Sequence, residues 1–421
     1  MQIIFFFVAF LCIYLPVSVH AQSGAVEPGF HPYISIHEEY NDNINLTPTN
    51  KKDDYITTVN PGLKYTNMDK VSGLDFDYNL GLVYYGKETD SKYVSHNGSL
   101  NVKYLTKEHF NFYLKESFIR SDEQREREYF TTTEENKYVL STRTERTIYW
   151  RNVAAPTIEY QFGQDNRVGI NYRNNIYRTE NTVGQDSQED YINPFFDYWF
   201  NQKNGIHIEY GYTIGDFKLS PDMTGHRANA RYTNRFSPQS SIFTEYTFSR
   251  RNFDPPSTDY DIHEPSVGIT YAFSPTLNAS AQAGYFWKVP EVGSKTDGVN
   301  YKASIANLDV RTTYILSLQG GYTEDFFTSE NLGFNRYHRL TGSITHYLEK
   351  RTSIGLSGNV ERAEFENDRK DWIWGASGTL SHSPLKWLTL ALEISHRERN
   401  SNIEANDYTE NRGIIRITAT Y

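Results

Sequence analysis

Between Gly73 and Tyr84 every second residue is apolar: Leu74, Phe76, Tyr78, Leu80, Leu82 and Tyr84 fall on one side, Asp75, Asp77, Asn79 and Gly81 on the other. The same split sets Ile206, Ile208, Tyr210, Tyr212 and Ile214 against His207, Glu209, Gly211 and Thr213. It sets Leu388, Leu390, Leu392 and Ile394 against Thr389, Ala391, Glu393 and Ser395. Side chains of a strand point alternately to its two faces, so each segment is a strand with a greasy and a wet side. Nine short polar turns punctuate these segments, near Lys70, Lys107, Gln164, Gln202, Pro238, Pro275, Arg311, Lys350 and Pro384. All but one of the gaps between them are about 35–40 residues; the exception, about 57, holds a charged stretch at 121–145. Such a step accommodates an up-strand, a longer loop, a down-strand and a tight turn. Ten to twelve residues at about 3.3 Å each, tilted by about 40°, cover about 25–30 Å, the height of an outer-membrane hydrocarbon band. The pattern predicts an all-β protein, a transmembrane antiparallel up-and-down β-barrel of about 18–20 strands.

The bulk composition agrees with a wall that is wet inside. Only 38% of the 421 residues are hydrophobic, yet there are 33 Tyr and 25 Phe. Aromatic rings at both membrane interfaces and a polar lumen account for that combination. After Ala21 no apolar run approaches 18 residues, which excludes helical spans; only a closed sheet leaves no unpaired edge in hydrocarbon. A soluble β-propeller is the rival fold, but it needs four short strands per repeat where this step fits two long ones. The net charge of −10 argues against nucleic acid as a partner.

The chain divides into a signal peptide at 1–21, a short periplasmic segment at 22–30 and a barrel at 31–421. Residues 3–15 are apolar and Val19-His20-Ala21 offers a small–x–small cleavage site, although the start lacks Lys and Arg. A membrane anchor is the alternative, but the run is short and Pro16 follows it. Cys12, the one cysteine, lies inside this segment, so the mature chain needs no thiol chemistry.

The turns and loops differ in chemistry. Phe236-Ser-Pro-Gln-Ser and Phe273-Ser-Pro-Thr-Leu are near copies, with Pro presetting the turn and an aromatic ring ahead of it at girdle height. The alternate connections, at 41–54, 180–189, 290–300, 324–335 and 399–407, are longer and rich in Asp, Asn and Gly. Short turns on one rim, long loops on the other and an even strand count place both termini on the turn side. The first strand is expected at 33–40. The last ends with Ile415, Ile417, Ala419 and Tyr421 on one face, and a terminal aromatic resembles the signal read by the outer-membrane assembly machinery.

Near the start stands Pro32-Tyr-Ile-Ser-Ile-His-Glu-Glu-Tyr-Asn-Asp-Asn-Ile-Asn-Leu46. It resembles the opening of a group of bacterial outer-membrane β-barrel porins, several of them associated with exopolysaccharide loci. Their Glu-x-Tyr-x-Asp-Asn-like ending is matched by Glu38, Tyr40, Asp42 and Asn43. The resemblance implies an outer-membrane location and a role in polysaccharide export, with polysaccharide or export-complex proteins as partners beside outer-membrane lipid and lipopolysaccharide. It implies no catalytic residue.

With the greasy face outward, the candidate pore-lining residues are Arg173, Glu209, Arg227, Arg231, Arg235, Glu245, Arg251, Asp75 and Asp77. Arginines on a wet wall would attract anions; mixed with Glu209 and Glu245 they would instead neutralise one another and brace the wall. The stretch 121–146 is a candidate inward constriction, with a solvated loop as the alternative. Aromatic clusters at Asp197-Tyr-Trp-Phe and Tyr285-Phe-Trp would stack sugars or sit at the interfaces. The oxygen-rich segments at 41–45 and 404–410 have turn chemistry rather than a calcium-loop spacing, so no metal or cofactor is expected. No nucleophile-elbow or paired-histidine metalloprotease motif appears, and the chain is not expected to be an enzyme. Three functions follow: a porin-like channel, a non-conducting scaffold of an exopolysaccharide export or surface-assembly complex, and a hydrolase with Ser, His and an acid converging at one rim.

Overall fold

A computed structural model describes residues 28–122, 147–180, 184–327 and 331–421. The expected signal peptide and most of the 121–146 stretch lie outside them.

The described residues form twenty strands. They begin with β1 (Gly29–Asn41), β2 (Asp54–Met68), β3 (Ser72–Tyr85), β4 (Tyr93–Leu105) and β5 (Phe110–Ser121). Next come β6 (Tyr149–Gln161), β7 (Arg167–Thr179), β8 (Ser187–Trp199), β9 (Asn204–Phe217) and β10 (Met223–Ser237). β11 (Ser240–Phe253), β12 (Tyr260–Ala272), β13 (Leu277–Pro290), β14 (Thr296–Leu308) and β15 (Thr312–Asp325) follow. The last are β16 (Gly333–Glu349), β17 (Thr352–Phe365), β18 (Lys370–Leu385), β19 (Leu388–Ser401) and β20 (Tyr408–Thr420). Each strand pairs antiparallel with the next, and β20 pairs with β1 from Tyr33↔Thr420 to Asn41↔Arg412. The sheet is therefore closed, and the terminal N–H of Tyr421 donates to the Pro32 carbonyl at 2.9 Å across the seam.

All nine expected turns join strand pairs; only Pro384 falls just inside its strand. Three are preceded by a register shift, at Arg235/Ser237, Tyr347/Glu349 and His382/Leu385, which adds twist where the chain reverses. Some strands run further than expected. β1 starts at Gly29 rather than Tyr33, and β14 starts at Thr296 inside the expected 290–300 loop. Thr296, Gly298 and Asn300 read as loop residues because the wall's wet side uses the same residue types as loops.

The outward parity forms an exposed apolar band that includes Ile34, Ile170, Ile208, Leu318, Leu340, Leu392 and Ile417. A belt of that extent is far larger than the patch a soluble monomer leaves uncovered, and lipid is what covers it. At the turn rim the band is edged by Phe30, Tyr104, Phe162, Phe200, Phe236, Phe273 and Tyr347. Towards the loops, outward tyrosines reach up to outward histidines. The hydroxyls of Tyr78, Tyr210, Tyr246 and Tyr301 lie 2.7, 2.6, 2.7 and 2.8 Å from Nδ1 of His96, His226, His263 and His338. Each pair has an apolar body and a polar tip, as the upper membrane interface requires.

Candidate functional site

All nine candidate residues lie on the inward parity, opposite the apolar band. Asp75 and Asp77 are on β3, where Asp77 accepts the Tyr33 hydroxyl at 2.8 Å. The five arginines each face a carboxylate. Arg173 grips Glu189 with Nη2 at 2.6 Å and Nε at 3.1 Å. Arg227 pairs with Glu209, Arg231 with Glu245 at 2.5 Å, and Arg235 with Asp165 at 2.8 Å while lying over the Trp199 ring. Arg251 meets Glu324 with Nη2 at 2.8 Å and Nε at 3.1 Å, both side chains buried.

One of them, Arg227–Glu209, closes a ladder across five strands. It passes from Glu159 on β6 to Arg167 on β7 (3.2 Å) and then to Asp197 on β8 (2.7 Å). From Asp197 it reaches His207 on β9 (2.8 Å), whose Nε2 is 3.6 Å from Glu209, and ends at Arg227 on β10. Alternating charge at hydrogen-bond distance leaves little free field in the lumen, so this arc of wall is cross-braced more than it is basic.

Among the described residues, an element that the sequence did not single out turns into the lumen; the stretch expected as a constriction, 121–146, lies mostly outside them. β15 is paired with β14 only from Thr313↔Leu308 to Gly320↔Tyr301. Above that point Thr296–Asn300 remain paired with β13, while Gly321–Asp325 pair with β16 alone. The departure occurs at Gly321, whose φ of +146° is open to glycine and strained for other residues. The hairpin tip turns into the lumen and lays its outer face on the inner wall of β10–β13. Tyr322, Glu324 and Phe334 share parity with the lipid-facing Leu318 and Leu340, yet are buried. Tyr322 and Phe334 join a core with Met223, Tyr260, Ile262, Phe286, Phe326 and Phe327. Tyr322 stacks on Phe334 with centroids 5.3 Å apart, and Phe286 lies 4.9 Å from Tyr322. Polar groups lock the contact: the Tyr260 hydroxyl donates to Glu324 at 2.6 Å and the Tyr322 hydroxyl to Glu264 at 2.9 Å. The signal available in the sequence was Glu324 itself, a carboxylate at a lipid-parity position, which hydrocarbon would not accept.

Opposite the hairpin a cavity of about 440 Å³ opens along β1–β5 and β20. Ser35, Asn60, Asn79, Ser95, Asn97 and Thr418 supply hydroxyls and amides to its wall, with Arg412 held by Glu39 at 2.9 Å on its margin. Asn41 and Asn43 spend their polar atoms on the chain: Asn41 Nδ2 donates to Glu410 at 2.8 Å, and Asn43 Oδ1 accepts the Thr47 N–H at 3.0 Å. Of the aromatic clusters, Tyr285 and Trp287 lie on the lipid-facing parity, and Phe286 is part of the hairpin core.

Residues 219–421 match the model of a family described as Putative beta-barrel porin 2. The match covers the wall from the β9–β10 loop to β20 and leaves out residues 32–46, where the sequence resemblance lay. No curated protein matches the chain. Among solved structures, the siderophore receptor PirA of Pseudomonas aeruginosa is 8% identical with a TM-score of 0.50, over 94% of this chain and 81% of that one. The outer membrane protein OpdK of the same organism is 8% identical, TM-score 0.42, over 93% and 99%. OccK3 (OpdO), also from P. aeruginosa, is 14% identical, TM-score 0.43, over 93% and 96%. The likeness to PirA is one of fold alone.

Proposed function

We propose that this chain is an outer-membrane channel of the porin kind, passing small polar solutes between its inward hairpin and the hydroxyl- and amide-lined wall of β1–β5 and β20. The observation that carries the reading is the closed sheet of twenty strands, apolar outside and polar inside, with a polar-lined cavity opposite the inward hairpin. The match of residues 219–421 to a porin family supports it. Residues 1–21 serve as the export signal, the short turns face the periplasm, and the outward band meets outer-membrane lipid and lipopolysaccharide.

The wall does its work by substitution. A polar solute leaving water needs hydrogen-bond partners, and Ser35, Asn60, Asn79, Ser95 and Thr418 offer them without a fixed charge. The same wall also carries Glu39, Arg412 and Arg416, so small polar solutes, charged as well as neutral, are the expected cargo. Transport, not catalysis, is the activity.

A second reading draws on the hairpin. If the lumen is shut, the barrel is a scaffold for an exopolysaccharide export complex. Single-channel recording in planar bilayers, with liposome swelling in sugars of increasing size, separates the two. Stable conductance steps and size-dependent swelling are the expected result. Silence in both assays, from protein whose folding is verified by its heat-modifiable gel mobility, overturns the channel.

A further inference from the structure

Above the docked hairpin lies a second cavity, of about 480 Å³, bounded by the loops that follow β9, β11, β13, β15 and β17. Its floor is aromatic, with Phe217, Phe253, Tyr260 and Phe334 among its lining, and Lys288 of β13 projects into it. The Lys288 ammonium sits 4.2 Å from the centre of the Tyr260 ring and 4.7 Å from that of Phe334. The side chain is only 7% exposed, so its charge demands a counter-ion.

The identity of that counter-ion is informative. Elsewhere, well-covered arginines of the wall and of the β17–β18 loop are matched by carboxylates that are buried themselves: Glu324 with Arg251, Glu361 with Arg339, Asp371 with Arg369. Lys288 is paired with Glu366, from the short loop between β17 and β18, whose side chain is 51% exposed. A buried ammonium in an aromatic pocket is thus neutralised by a carboxylate that is itself half in water, and that another carboxylate can replace.

We propose that this cavity is a binding site for an organic carboxylate with a flat apolar body, and that Glu366 occupies the place of the ligand's own carboxylate. On binding, the ligand carboxylate replaces Glu366 at Lys288 and its body lies over the aromatic floor that the wall (Phe253, Tyr260) and the hairpin (Phe334) form together. A ligand that touches both surfaces stabilises the docked hairpin by mass action. The site does not depend on the barrel conducting.

The test is calorimetric titration of the full-length mature protein in detergent with 1-naphthoate, beside the neutral 1-naphthalenemethanol. Saturable naphthoate binding is expected, with the alcohol weaker. Lys288→Met should weaken naphthoate by about thirtyfold or more, the loss that follows truncation of one partner of a buried charge pair. Glu366→Gln removes the internal competitor and should strengthen naphthoate severalfold while leaving the alcohol unchanged. Equal naphthoate affinity in wild type and Lys288→Met overturns the proposal. So does the absence of naphthoate binding to Glu366→Gln, a loop variant that tests the idea even if Lys288→Met fails to fold.

Discussion

At the scale of single residues, this wall is governed by who sits across the strand. Arg227 is typical: its charge is neutralised by Glu209, which is in turn shared with His207. Removing Arg227 therefore does not merely delete an anion-attracting group; it exposes a carboxylate. Arg227→Ala is expected to shift reversal potentials towards cations, and Arg227→Ala with Glu209→Gln to restore near-neutral selectivity. The single variant should also cost about 1–3 kcal/mol of stability, since a half-buried acceptor loses its donor. A second local device is the ring laid over a glycine. A Cβ on Gly268 would come within 2.2 Å of Phe243, and Phe243 carries the Arg231 guanidinium 4.7 Å above its centre. Gly268→Val should displace ring and guanidinium together at a cost of about 1–3 kcal/mol, read from thermal unfolding in detergent. The alternation alone dictates which side of the wall Arg227 or Arg231 occupies. Their partners were out of reach, because Glu209↔Asn229 or Arg231↔Glu245 neighbours depend on register, and register follows from turn geometry that a single sequence does not specify.

At the scale of elements, the β15–β16 hairpin is where local pattern and destination part company. Its residues alternate like those of any neighbour, and a strand with Tyr322 and Phe334 on its outer parity looks ready for lipid. Glu324 decides otherwise: in the lumen it finds Arg251 and Tyr260, and in hydrocarbon it would find nothing. Glu324→Leu is expected to undock the tip, because staying docked would leave Arg251 buried without its carboxylate at a cost of about 3–5 kcal/mol. The signature would be larger conductance steps and proteolytic cleavage of the tip from the loop side, with the rest of the barrel intact. An unchanged conductance would show that the hairpin does not bound the pore. The turns, by contrast, were plain from composition. Ser-Pro and charged tetrapeptides between alternating runs have few other uses, whereas loop starts such as that of β14 were blurred by polar lumen residues.

For the molecule as a whole, a closed sheet of about 18–20 strands was legible from the nine short turns and the longer loops alternating with them, because antiparallel neighbours joined by short links have one way to close. The seam shows the last residue in two roles. Tyr421 contributes a backbone N–H to Pro32, yet its side chain is largely exposed and packs little. We propose that its value lies in recognition during assembly more than in the finished barrel. Deleting Tyr421 should sharply lower the amount of folded protein recovered from the outer membrane of cells, with little change in refolding yield or melting temperature in detergent. Equal losses in both settings would assign it a structural role instead.

The hairpin also bears on the order in which the protein is built. The contact between Arg251 and Glu324 spans 73 residues, whereas the seam contact between Ser35 and Thr418 spans 383. Bringing the seam together costs roughly 1–2 kcal/mol more in chain entropy than docking the hairpin. The tip's core partners among the described residues, from Phe217 to Phe286, lie on strands that are neither first nor last. An aromatic core can therefore condense inside a sheet that is still open, and a half-made wall already has a stable middle before its two ends meet.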